Sequence, residues 1–144
     1  MALNSQGSRI SHAPSAVSPS VYAQIEEVTS ISGPDGTANL IDVSHLGSTR
    51  KEYLQGLADN GSIQLECNYT GGTKQQDLYD LFNETADAEE YKLEIPSTSA
   101  KTNFHTFTFQ AVVTKWSLSA AFDNKVTLSV TLQTTGGVNY LGVI

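Results

Sequence analysis

Three histidines, one cysteine and several close-set carboxylates are the residues of this chain with chemical potential. His12, His45 and His105 lie far apart, and none sits with Cys, Asp or Glu at the spacing of a metal site. Each is expected to be a surface or interface residue. Cys67 shares the apolar side of an alternating segment with Ile63, Leu65 and Tyr69. That is the setting of a buried small hydrophobe, and a lone cysteine excludes an intramolecular disulfide framework. Glu26-Glu27 and Glu89-Glu90 are adjacent pairs. Neighbours along a strand point to opposite faces, so neither is an acid–base pair. No nucleophile elbow, phosphate-binding glycine loop, dinucleotide fingerprint or zincin helix occurs. Three N-x-[ST] sequons, at Asn60, Asn68 and Asn83, come without a secretion signal and read as chance matches. The expectation is a protein that is not an enzyme, with no cofactor and no metal, whose function resides in surfaces.

Composition narrows the surfaces. A chain of 144 residues, 39% hydrophobic and 16% charged, is long enough for one domain with a real core. Its formal charge of −7, from 15 acidic and 8 basic residues, argues against gripping phosphates. Such a surface would repel DNA and let it slide past. Aromatic and basic residues are not interleaved, so no platform for stacking single strands is indicated. No apolar run is long enough for a membrane-spanning helix. The polar start lacks a signal-peptide core, which implies folding in the cytoplasm.

The elements that must build these surfaces read as mainly β. Residues 1–20 carry six serines, Pro14 and Pro19, and few large apolar groups. They are expected to form an N-terminal arm that contributes nothing to the core. Residues 21–144 form the domain. Val21–Ile31 reads as one strand, and Gly33-Pro34-Asp35-Gly36 as a turn. After a short strand, Leu40–Val43, residues 44–61 hold no clean alternation and no lasting helical stripe. Long irregular excursions are uncommon in compact domains and usually functional. Ile63–Tyr69 alternates, as does Tyr91–Ile95, which Pro96 stops. Phe107, Phe109, Ala111 and Val113 share one face, but Trp116 and Leu118 fall on the other phase. A bulge within Val112–Lys115 is therefore predicted. Val126–Leu132 alternates without fault. Between strands, Thr73 and Gln76 read as a capping box that opens a helix. Leu78, Leu81 and Phe82 would be its buried stripe. The acids from Asp77 to Glu94 read as a solvated helix face and loop. The fold class is α+β: an antiparallel β-sandwich or barrel with one flanking helix.

The order of these features resembles a known family. Ile41-Asp42-Val43-Ser44-His45-Leu46, then Lys51-Glu52-Tyr53, then Gly56-Leu57 and Asn60-Gly61, are similar to the major tail tube proteins of long-tailed bacteriophages. The likeness continues through Ile63–Tyr69, the helix from Thr73, Phe104–Leu118 and the Asp123-Asn124-Lys125 turn into Val126–Leu132. It spans about Val21 to Gly137, and no single motif carries it. The resemblance implies a structural subunit of the virion tail, assembled in the host cytoplasm. Six subunits would close a ring whose strands join into an inner β-barrel, and rings would stack into a hollow tube. A tape measure protein would occupy the lumen first and DNA would pass through it later. A tail terminator and a distal tail or tip protein would meet the ends. No membrane is involved.

The candidate contact residues follow from this. Leu3, Ile10 and Val17 would anchor the arm on an adjacent ring. His45, Leu46, Tyr53, Leu54 and Leu57 lie in the excursion, expected to be mobile in the monomer and ordered by a neighbouring ring. Tyr140, Leu141, Val143 and Ile144 make an unusually apolar end. They either meet a partner or form a last strand in the chain's own sheet. Gln64, Glu66 and Asn68, or Thr127, Ser129, Thr131 and Gln133, would line the lumen. The pattern does not choose between the two sets. The alternative reading is a monomeric β-sandwich binding module that decorates a virion and binds host or carbohydrate.

Overall fold

Alternation along the chain becomes a single curled sheet. The computed structural model describes residues 3, 5–14, 22–83, 87–98 and 102–144. In chain order its elements are β1 (Arg9–Ala13), β2 (Ala23–Gln24), β3 (Val28–Ser32), β4 (Thr37–Asp42), β5 (Tyr53–Asp59), β6 (Ser62–Asn68), α1 (Thr73–Asn83), β7 (Glu89–Pro96), β8 (Phe104–Ala120) and β9 (Val126–Val143). Seven strands pair antiparallel in the order β2-β1-β7-β8-β9-β6-β3 and curl into a half-barrel. β4 and β5 form a separate two-stranded hairpin.

The core lies inside the curl. On β6, Ile63, Leu65 and Cys67 stand opposite Leu132, Val130 and Leu128 of β9, and all six are buried. Tyr91 and Leu93 of β7, Phe109 and Ala111 of β8, and Leu78 of α1 complete it. Each fully buried side chain of this size contributes about 1.5–3 kcal/mol. Burial pushes the Cys67 thiol up to about 11. The ladder of β8 with β9 shifts register between Val113 and Lys115. This is the predicted bulge. It lets Trp116 pack on the core although its sequence phase is reversed.

The N-terminal reading needs correction. Arg9–Ala13 is a strand held between β2 and β7, and Ile10 and Ala13 are completely buried. The strand is covered on both faces despite its few large apolar residues. Ser11 and His12 are buried too. Arg9 donates through Nε and Nη2 to both carboxylate oxygens of Glu94, at 3.1 and 3.0 Å. Its guanidinium also lies 4.2 Å from the Phe104 ring centre. Burial alone would raise the Glu94 carboxyl, but the Arg9 hydrogen bonds and the Lys92 charge hold it below the usual range. Glu94 is thus no part of a solvated acidic face. His12 is not a surface residue either. Its Nδ1 lies 3.2 Å from the Lys74 ammonium and its ring 5.1 Å from Tyr91. Burial, then the Lys74 charge, lowers its affinity for a proton. Val17 lies outside the described residues.

The helix is capped from a distance. Its first free amides, Lys74 N and Gln75 N, donate to the Glu26 carboxylate at 3.1 and 3.3 Å. The Gln76 amide bonds instead to the Tyr69 hydroxyl, so the predicted capping box does not form. Gln75 is fully buried and ties the site together, accepting from Thr70 N and donating to the carbonyls of Glu26 and Asn68. Gly72 leaves room for this cap: a Cβ there would stand 2.6 Å from the Glu26 carboxyl carbon, and the carboxylate would have to shift. Glu26 is positioned by a turn that splits the predicted Val21–Ile31 strand into β2 and β3, with Glu27 at φ 47°. Leu78 is buried as expected, whereas Phe82 is 40% exposed.

Two outcomes test this construction. Deleting residues 1–20 removes β1 and should abolish the cooperative unfolding transition, whereas deleting residues 1–7 should leave it. A truncated chain that still melts cooperatively near the full-length midpoint would contradict the core role of Ile10. Glu26→Ala should lower stability by about 1–2 kcal/mol, the usual loss for a helix cap, measured by urea denaturation. An unchanged midpoint would show that the carboxylate contributes nothing.

Candidate assembly surfaces

The two candidate lumen sets are one face. β6 and β9 pair Gln64 with Thr131, Glu66 with Ser129 and Asn68 with Thr127. These side chains lie opposite the core residues that alternate with them. The face continues to Lys115, Ser117 and Ser119 on β8, and to Ser30 and Ser32 on β3. It is a hydroxyl- and amide-rich wall four strands wide. Gln133 departs from it, because its amide is drawn to the Gly61 carbonyl at 3.0 Å.

That carbonyl is the root of the hairpin. It also accepts from Thr134 N at 3.1 Å and from the Thr134 hydroxyl at 2.7 Å. Asn60 Nδ2 donates to the Gly136 carbonyl at 3.0 Å, and Gly61 N to Asp59 Oδ1 at 2.8 Å. Gly61 takes φ +72°, and a Cβ on it would meet the Asp35 carbonyl oxygen at 2.5 Å. The β3–β6 ribbon passes through this clamped joint into β4–β5.

Beyond the joint the hairpin stands clear. The irregular reading of residues 44–61 is corrected: Tyr53–Asp59 is β5, paired with β4, and only residues 43–52 form a connecting loop. Alternation was invisible because apolar residues occupy both faces. Leu46 and Leu57 are 108% and 90% exposed, and Tyr53 and Leu54 are about half exposed. The loop is ordered by its own contacts. His45 Nδ1 accepts from Gly47 N, and Ser44 exchanges hydrogen bonds with the Glu52 backbone. His45 itself remains largely exposed, 3.7 Å from the Glu52 carboxylate.

At the other candidate end, β9 runs on to Val143 and pairs with β8. The last strand therefore belongs to the chain's own sheet. Its side chains remain available even so: Tyr140, Leu141, Val143 and Ile144 are each half exposed or more. Tyr140 also meets His105, whose Nδ1 lies 2.7 Å from the phenol oxygen, and packs on Phe107. Leu3 is half exposed and lines a groove with Val28, Ile31, Leu93 and Ile95. Ile10, sealed in the core, cannot anchor anything outside the subunit. Sequence reasoning also missed Phe122, 102% exposed at the β8–β9 turn beside Leu118 and Val126. An aromatic residue next to Asp123-Asn124 turn chemistry was the available signal. Among the described residues, no group of three or more His, Cys, Asp or Glu gathers to hold a metal ion.

Known proteins share this architecture. The fold is similar to the tail of an empty gene transfer agent particle refined with C6 symmetry: TM-score 0.77, 13% identity, covering 98% of this chain and 100% of that one. It is similar to the SPP1 tail tube, with TM-score 0.72, 10% identity and coverage of 98% and 80%. It is also similar to a chain of the sheath/tube terminator of an extracellular contractile injection system, with TM-score 0.76, 15% identity and coverage of 99% and 98%. No curated protein matches by sequence. A family model does, that of the lambda phage tail tube protein, over residues 5–141. With nearly the whole chain matched, this protein belongs to the lambda phage tail tube protein family and is a structural subunit of a virion tail.

Proposed function

We propose that six copies close into a ring, that rings stack into a hollow tube, and that the wall of Gln64, Glu66, Asn68, Thr127, Ser129 and Thr131 faces the lumen. One observation carries the lumen reading: the register merges the two candidate sets into a single polar face. Such a wall suits a conduit. Hydroxyls and amides keep it wetted, and its scarcity of cations leaves phosphates little to bind. The lumen holds a tape measure protein during assembly and conducts DNA afterwards. A terminator and a distal tail or tip protein meet the two ends. Leu3 and the apolar end of β9 belong to contacts between subunits, and His45, Leu46, Tyr53, Leu54 and Leu57 to contacts between rings. A protein that works as a wall needs no catalytic group. The alternative, a monomeric binding module, is disfavoured by the hairpin, because an isolated two-stranded ribbon with exposed leucines is marginal in water.

Concentrated wild-type protein should show rings and tubes by negative-stain microscopy. Dispersed small particles at every concentration would overturn the tube reading. Glu66→Lys should leave tubes intact and slow DNA ejection, since each added cation on the path is a phosphate contact. Ejection at the wild-type rate from normal tubes would move Glu66 off the lumen.

A further inference from the structure

The polar wall is electrically balanced although the chain is not. Register sets three rows across it: Ser32, Gln64, Thr131 and Lys115; Ser30, Glu66, Ser129 and Ser117; Asn68, Thr127 and Ser119. These rows hold one acid, Glu66, and one base, Lys115, whereas the whole chain carries 15 acids against 8 bases. The acidic excess lies off these rows. Lys115 and Glu66 are both exposed, but they do not neutralise each other. Two strands across and two residues along leave their Cα atoms roughly 12 Å apart. That exceeds the Debye length, about 8 Å at physiological salt. Arg9 and Lys92 pair with Glu94, and Lys74 with Asp77. Among the described residues, no carboxylate pairs with Lys115.

We infer that Lys115 is the wall's contact for the phosphate backbone of DNA in transit, and that it slows the passage. The inference rests on the tube reading and its lumen-facing wall. The bulge in β8 is what aims the lysine. Val113 pairs with Leu132 and Lys115 with Thr131, so Thr114 is skipped. In an unbroken ladder Lys115 would stand opposite buried Val130, on the core side. The extra residue turns it to the wall. There its flexible stem carries a point charge that asks only for a negative group within reach. Duplex DNA meets that demand wherever it lies, with one charge per about 1.7 Å of its axis. A protein in the lumen offers carboxylates only at intervals, so a polyphosphate is the occupant this group fits. Six copies set a band of six such cations in each ring. The hydroxyls and amides beyond the band add no charge, so each contact is local and brief.

Ejection from virions carrying Lys115→Gln tests this. The variant should eject DNA faster than wild type in low salt. Its advantage should fall by about threefold between roughly 50 and 200 mM salt, the loss expected for one phosphate contact. Lys115→Arg should eject at the wild-type rate. Equal rates for Lys115→Gln and wild type at every salt concentration would overturn the inference. If Glu66→Lys still slows ejection in that case, the lumen reading stands; if neither substitution matters, the lumen reading falls too. A Lys115→Gln chain that changes tube length and leaves ejection alone would assign the lysine to a protein occupant during assembly, and the inference fails. It fails equally if Lys115→Gln makes no tubes where Lys115→Arg does, because the lysine would then hold a contact between subunits rather than DNA.

Discussion

The pairing of β8 with β9 is the interaction on which everything else depends. These are the two longest strands, 17 and 18 residues, and they lie at the centre of the sheet. A flat ladder of that length would expose its apolar face. The shift between Val113 and Lys115 bends it, so that Phe109 and Ala111 before the bulge and Trp116 after it address the same interior. β7 and β1 then follow on one side, and β6 and β3 on the other. α1 covers the mouth of the curl through Leu78. The core face and the polar wall are two sides of this one bent ladder.

What the sequence revealed depended on how each element is buried. Strands with one wet and one dry face, such as Ile63–Tyr69 and Val126–Leu132, wrote their alternation plainly. The bulge was visible as a change of phase. β1 was hidden for the opposite reason. It is covered on both faces, and its buried Ser11 and His12 look like surface residues until Tyr91 and Lys74 arrive from far along the chain. β5 was hidden because both its faces are apolar. The helix start was legible but its cap was not, since Glu26 lies 48 residues before the Lys74 amide it serves. Of the candidate contact residues, the excursion's hydrophobes are legible by type alone, and the structure leaves them exposed. Ile10 was misassigned, because one isoleucine among serines carries no burial signal of its own.

The polar networks have a division of labour. Glu26 and Gln75 fix the helix on the sheet. Arg9 and Glu94 fix the N-terminal strand. Gln133 and Thr134 fix the hairpin root. Each is built around groups that must be satisfied once buried, and each joins parts of the chain remote in sequence. Among the described residues, the wall that faces away from the core carries no comparable network.

The pairing of β1 with β7 has a consequence for the timing of synthesis. Arg9 and Glu94 are 85 positions apart. A nascent chain therefore cannot pair β1 with β7 until Glu94 has left the ribosome, and contacts so distant in sequence form slowly. During that interval the leucine-rich ribbon is already made, while the surfaces that will hold its root are not. The vulnerable period for this protein is thus its birth, when nonspecific aggregation competes with folding and a chaperone has the most to protect.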